Sequence, residues 1–272
     1  MLVRRGVVEV DMDREGAGPP VLLLGGAARG WLWSGLTARL ADRYRVLTLD
    51  VHGQGDTPAW PAGLRQTLSH QVRLVHALTA GHEERIGVVG HSLGGAIALR
   101  AAVELDERVA ALVVLEPTPF ALLEQAGRTA AWEVVVAERE RLRASLAAGD
   151  DEEAARGAAD FWLGPGTWAG MGPEDRARVR FGLESRIAEW EAMTDPGLTL
   201  AEVATAPAPT LLAVDPDTLP PVREVADLLS AARPDWRRVE LPGAGHLAPY
   251  TRPDLVGPLV EDFLDEHLGR RR

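Results

Sequence analysis

The sequence predicts a doubly wound α/β domain built on a mostly parallel sheet, and three observations predict it. Short apolar runs alternate with stretches of helical period, which is the pattern of consecutive βαβ units. Polar or glycine-bearing turns follow the carboxyl ends of those runs, where such sheets bind ligands. The alternation is interrupted once, between residues 119 and 207, by a stretch that is helical throughout.

In chain order, Gly6 to Asp13 alternates apolar and charged residues as an edge strand or hairpin does, and Gly16-Ala-Gly-Pro-Pro20 turns the chain. Val21 to Leu24 is fully apolar and closed by Gly25-Gly26, the mark of a strand buried on both faces. Trp31 and Trp33 lie on a helix running to Ala41, Tyr44 to Leu49 is the next strand, and Asp50 to Pro58 is a glycine-rich loop. Leu64 to Thr79 has helical period, Ile86 to Val89 is a strand, Ala96 to Val103 a helix, and Val109 to Leu115 a strand ending at Glu116-Pro117. Helices are expected near 121–147, 150–163 and 173–192, broken by Gly164-Pro-Gly and Gly170-Met-Gly-Pro173. The sheet resumes at Pro209 to Val214, followed by a helix near 221–232, a strand at Arg238 to Leu241, the loop Pro242-Gly-Ala-Gly-His246 and a closing helix from Asp254 to Leu268.

Composition narrows the chemistry. At 272 residues the chain can bury a full-sized core. A formal charge of −11 disfavours nucleic acid and anionic membrane surfaces as partners, and the tail Arg270-Arg271-Arg272 is too short to reverse it. No apolar run reaches the roughly 20 residues that span a bilayer, and Met1-Leu-Val-Arg-Arg-Gly lacks the apolar stretch of a secretory signal. A cytoplasmic location is therefore expected. Without cysteine there is no disulfide, thiol nucleophile or thiolate metal site. All 29 basic residues are arginine, which excludes Schiff-base chemistry and a phosphate-loop lysine. No metal or other cofactor is expected, and the sequence leaves oligomeric state open.

The run Gly90-His91-Ser92-Leu93-Gly94-Gly95 lies between a strand and a helix. A turn that tight strains the backbone and needs small neighbours, and it lifts the Ser92 hydroxyl over the sheet edge beside the amide of Leu93 at the new helix's N-terminus. A bare G-x-S-x-G also suits a simple helix N-cap. Serine is a weak nucleophile at its free pKa and needs a base within reach, itself held by an acid. His246 is the best candidate base, because its glycine-flanked loop follows the last strand. His91 is expected to point away from Ser92; His70, His76 and His82 lie around a surface helix, and His267 is near the C-terminus. None of these spacings puts two histidines on one helix face to hold a metal.

Across nearly the whole chain these pieces resemble the α/β-hydrolase superfamily: Leu23-Leu24-Gly25-Gly26, Asp50-x-His-Gly-x-Gly-x-Thr57, Gly90-His-Ser-Leu-Gly94 and Gly243-Ala-Gly-His246, in the family's order. The resemblance implies an eight-stranded, mostly parallel sheet with a cap after the sixth strand. It also implies Ser92 as nucleophile, His246 as base, and an oxyanion hole from the amides of Leu93 and Ala27, beside Gly26. The chain departs from the family at two places. Gly25 stands where the family usually has histidine. At the seventh strand Asp215 and Thr218 occupy the usual positions of glycine and acid, with Asp217 one residue off. Glu116 ends the sixth strand instead, an acid placement resembling that of haloalkane dehalogenases and of lactonases that open zearalenone. Glu116 is preferred and Asp217 stays the alternative, since a carboxylate buried at a strand end needs a partner such as His246.

The expected organisation is a core of 1–118 and 208–272 with a helical cap, 119–207. The cap carries four of the eight tryptophans, Trp132, Trp162, Trp168 and Trp190, as candidate substrate contacts suited to a bulky apolar ligand. The function expected is hydrolysis of a carboxylic ester or lactone, with a small molecule as partner. Thioesters are a related substrate class. The alternatives are cofactor-free lyase or oxygenase chemistry with His246 as the working base, and ligand binding without turnover.

Overall fold

The computed structural model describes residues 2–5, 8–26, 29–80 and 84–269. Among them eight strands form one sheet: β1 (Leu2–Arg5), β2 (Val8–Glu15), β3 (Pro20–Gly25), β4 (Arg45–Asp50), β5 (Ile86–His91), β6 (Val109–Leu115), β7 (Thr210–Val214) and β8 (Arg237–Glu240). Their spatial order is β1-β2-β4-β3-β5-β6-β7-β8. β1 pairs antiparallel with β2 and β2 with β4, and every pairing from β4 to β8 is parallel.

The central strands are apolar on both faces, as parallel strands sandwiched between helices must be. β3, β5 and β6 are buried along their whole length. Alternate residues serve two cores. Val21, Leu23, Val89 and Val113 face α2 (Ser34–Leu40) and α14 (Pro253–Leu268), beyond the short α1 (Arg29–Leu32). Leu22, Leu24, Val88 and Val114 face α3 (Leu68–Thr79), α4 (Leu93–Leu105) and, further along the chain, α12 (Pro220–Ala232). The helix expected from Leu64 starts at Leu68, because Thr67 caps it: its side chain accepts the His70 N–H while the His70 ring accepts the Thr67 N–H.

Between β6 and β7 run α5 (Ala121–Gln125), α6 (Thr129–Ala147), α7 (Asp151–Leu163), α8 (Thr167–Gly170), α9 (Pro173–Arg180), α10 (Leu183–Met193) and α11 (Leu200–Thr205). The helices expected over 121–147 and 173–192 are each two. The second break falls at Gly182, whose φ of 74° lies in the left-handed region that ends a helix. After β8 a short α13 (Ala248–Thr251) follows the His246 loop. Among the described residues no helix is long and apolar enough to cross a membrane.

Candidate active site

Ser92 stands between β5 and α4 with φ 54° and ψ −122°, a conformation costing a β-carbon residue roughly 1–3 kcal/mol. The strain persists because the surroundings leave no alternative. The Ser92 N–H donates to Leu115 O at 3.0 Å, and Ser92 O accepts from Gly95, Ala96 and Thr118. A Cβ at Gly94 would lie 2.0 Å from Leu24 O, and one at Gly90 would lie 2.3 Å from Gly94 O, so the turn closes only with glycine at both places. At Gly25 a Cβ would lie 2.5 Å from Leu32 Cδ2 and 3.2 Å from the Trp33 ring nitrogen, so the histidine usual in the family would require these side chains to shift.

Three side chains from three strand ends join in one chain of hydrogen bonds. Glu116 Oε2 accepts from His246 Nδ1 at 2.7 Å, and His246 Nε2 lies 3.2 Å from Ser92 Oγ. With Nδ1 donating to a carboxylate, the bare Nε2 faces the hydroxyl and can take its proton. The 3.2 Å separation is at the long end of a hydrogen bond. Glu116 is 4% exposed and His246 8%, so the pair is shielded from water. Glu116 also has positive φ, 47°, and accepts the Asp215 N–H at 3.0 Å and the Thr218 hydroxyl at 2.8 Å. Three donors thus distribute its charge.

Asp217 does not join this chain. It is exposed, and its N–H donates to Asp215 Oδ1 at 3.0 Å in a turn. Buried Asp215 shapes the loop: its Oδ2 accepts the Gly245 N–H at 2.7 Å, next to His246. The seventh-strand motif therefore holds the His246 loop through Asp215 and the Glu116 carboxylate through Thr218, and the carboxylate reaching the imidazole follows β6.

His91 does not simply turn away from Ser92. It lies buried beneath the loop, and its Nε2–H donates to the carbonyl of His246 at 2.6 Å. Its ring is 4.9 Å from that of His246. Burial, with His246 beside it, lowers its pKa to about 3. A neutral imidazole supports the loop without opposing positive charge on His246.

The amide of Leu93 opens α4, and first-turn N–H groups have no intrahelical acceptor, so it is available to a developing oxyanion. Ala27 lies outside the described residues, as do His82 and the Arg270–Arg272 tail. Above Ser92 is a cavity of about 340 Å³ lined by Gly26, Trp162, Trp190, Met171, Met193 and Leu142, among others. Trp162 stacks on His246 with centroids 4.6 Å apart and planes at 18°. Trp190 joins Trp162, Phe120 and Phe161 in an aromatic cluster.

The other two candidate tryptophans serve packing. Trp168 is buried away from the cavity, donates to Glu152 and lies under Arg176 and Arg180. Trp132 packs against the main core. The rim is completed by Trp31 against Tyr250, centroids 4.9 Å apart, and by Arg178 paired with Asp175, none of which the sequence singled out. A polar group in the wall was also missed. Arg186 and Glu189 on α10 pair at 3.0 Å, and Glu189 accepts from Gln54 at 2.7 Å. Their i, i+3 spacing reads as an ordinary solvated helix face, and only burial of that face distinguishes it.

The family profile described as Alpha/beta hydrolase family matches residues 21–258. The provisionally named carbamate hydrolase RutD of Pantoea ananatis (strain LMG 20103) is 28% identical over 256 residues, covering 90% of this chain and 87% of that protein. Among solved structures, a hydrolase from Pseudomonas aeruginosa PA01 matches with a TM-score of 0.78 at 25% identity, covering 97% of each chain. The enol-lactonase from Burkholderia xenovorans LB400 matches at 0.75 with 20% identity, covering 97% of this chain and 99% of that one, a likeness of fold. With the strand order, the strained serine turn and a family profile spanning most of its length in agreement, the chain belongs to the alpha/beta hydrolase family.

Proposed function

We propose that the protein is a serine hydrolase that cleaves a carboxylic ester or lactone of a moderately large, largely apolar substrate. The reading is carried by the unbroken hydrogen-bonded series from Ser92 Oγ through His246 to Glu116. In it, Ser92 Oγ attacks the carbonyl carbon as its proton passes to His246 Nε2. The negative charge gathers on the carbonyl oxygen, which the Leu93 amide and, in this reading, that of Ala27 receive. His246 then returns the proton to the leaving oxygen, and water repeats the sequence to release the acid. Glu116 holds the tautomer and stabilises the imidazolium.

The seven helices of 119–207 act as a cap over the core of 1–118 and 208–272, and supply Trp162 and Trp190 to the cavity wall. The largely apolar cavity supports a bulky small molecule as substrate. The acid at the end of β6, as in the zearalenone-opening lactonases, favours testing macrolactones beside open-chain esters. The experiment is turnover of an aryl ester series and a resorcylic macrolactone by the wild type and by Ser92→Ala. Hydrolysis abolished in the variant is expected. Activity that survives Ser92→Ala would exclude the serine mechanism in favour of base chemistry at His246.

A further inference from the structure

Arg186 brings a charged group into an otherwise largely apolar cavity. Its NH1 donates to Glu189 Oε2 at 3.0 Å and to Gly26 O at 3.3 Å. Glu189 is almost fully buried, and its other oxygen is taken by Gln54. A guanidinium has five N–H donors. Among the described residues Arg186 NH2 has no protein acceptor, and the side chain, 25% exposed, lines the cavity. Nε is buried without a partner, so NH2 is the donor that a ligand can reach.

Position and charge define what this donor suits. Gly26 lies against Leu93, the distance from an ideal Gly26 Cβ to Leu93 Cβ being 3.1 Å. Arg186 therefore stands on the side of the oxyanion donors, whereas the leaving group must lie against His246 Nε2, which protonates it. A group reaching Arg186 therefore belongs to the acyl part. Burial pushes the Glu189 carboxyl above the usual carboxylate range, but both of its oxygens accept hydrogen bonds, from Gln54 and from Arg186, which favours the charged form; a substrate carboxylate would then add a second negative charge to a dry, low-dielectric wall. A neutral acceptor meets no such opposition.

Resting on the serine-hydrolase reading, we propose that Arg186 is a specificity-determining residue that donates from NH2 to a neutral acceptor oxygen on the acyl chain, so that oxo-acyl esters are the preferred substrate class. Glu189 sets the preference for neutral over anionic acyl groups.

The test compares phenyl hexanoate, phenyl 3-oxohexanoate and the phenyl monoester of succinic acid. The wild type is set against Arg186→Gln/Glu189→Gln, which leaves no lone buried carboxylate, and against Glu189→Gln. The ratio of kcat/KM for two esters on one protein is independent of the folded fraction, and dividing it between proteins cancels intrinsic reactivity. The oxo preference is expected to fall about ten- to a hundredfold in the double variant, the usual worth of a hydrogen bond from a charged donor. In Glu189→Gln the succinate ester gains at least about tenfold relative to the hexanoate ester. An unchanged oxo preference in the double variant overturns the assignment. A wild type favouring the succinate ester over the oxo ester overturns the neutral-acceptor class. Binding of the same esters to Ser92→Ala, read by quenching of tryptophan fluorescence, separates this claim from the hydrolase reading. An oxo preference there that disappears when the Arg186→Gln/Glu189→Gln pair is added supports Arg186 even if no ester turns over, and equal binding overturns it.

Discussion

Replacing Glu116 by glutamine keeps the shape of the side chain and removes its charge. Glu116 Oε1 accepts from the Asp215 N–H, and Oε2 accepts from Thr218 and His246. The glutamine oxygen must take the Asp215 N–H, because an NH2 there would face another donor. The NH2 is then forced to donate to His246 Nδ1, which places the imidazole proton on Nε2, pointing at Ser92, where it cannot accept the hydroxyl proton. The lost charge adds to this. At the 2.7 Å contact, with an effective dielectric of about 20, a unit charge stabilises the imidazolium by about 6 kcal/mol. The amide dipole recovers part of that, leaving a loss of about 4–5.5 kcal/mol, or about 10³- to 10⁴-fold in kcat. The assay is steady-state hydrolysis of an aryl ester, with pre-steady-state acylation to isolate the chemical step and near-ultraviolet circular dichroism to verify folding. Asp217→Asn, on an exposed turn, is expected to stay within about twofold. A Glu116→Gln protein within tenfold of wild type, or an equal loss in Asp217→Asn, would show that the imidazole is not oriented by Glu116.

Thr218→Val removes one of the three donors to Glu116. Stability is expected to fall by about 1.5–3 kcal/mol in urea denaturation, with kcat/KM within about tenfold, since the His246 contact remains; a loss as deep as that of Glu116→Gln would contradict this division. Burial holds the folded-state pKa of His91 near 3, below its unfolded value of 6.5, so its contribution to stability is complete above about pH 6.5 and declines as pH falls toward 3. Between about pH 7.5 and 5.5 this group alone should cost about 1.4 kcal/mol. His91→Gln should flatten the acid limb of the stability profile by that amount, and an unchanged limb would refute neutral burial. Gly94→Ala places a Cβ 2.0 Å from Leu24 O, and no soluble cooperative unfolding transition is expected by calorimetry; a variant as stable as wild type would mean that the turn can open.

Elements governed by local rules were legible in the chain. β3, β5, β6 and β7 are predominantly apolar, buried along their whole length and end in turns, and the Gly90–Gly94 spacing announces a close turn whatever the rest of the sequence does. Helix breaks at Gly127 and Gly182 were not anticipated, because a single glycine inside a periodic run is often tolerated and only its positive φ marks the end. The choice between Glu116 and Asp217 depended on burial, which sequence gives indirectly: two acids near strand ends look alike until one is enclosed by Thr218, Asp215 and His246. For the aromatic residues the difficulty was direction. Trp162 and Trp168 are six residues apart on neighbouring helices, yet one stacks on His246 and the other lies beneath two arginines. Arg186 and Glu189 were hidden for the opposite reason, a polar i, i+3 pair buried by packing between segments 130 or more residues apart.

The most direct measurement is intact mass after exposure to a fluorophosphonate, with the adduct located by peptide sequencing. The Ser92–His246–Glu116 relay predicts one adduct per chain, at Ser92, absent from Ser92→Ala and formed far more slowly in Glu116→Gln. An unmodified wild type that nonetheless binds the phenyl esters, or an adduct on another residue, would contradict an activated Ser92.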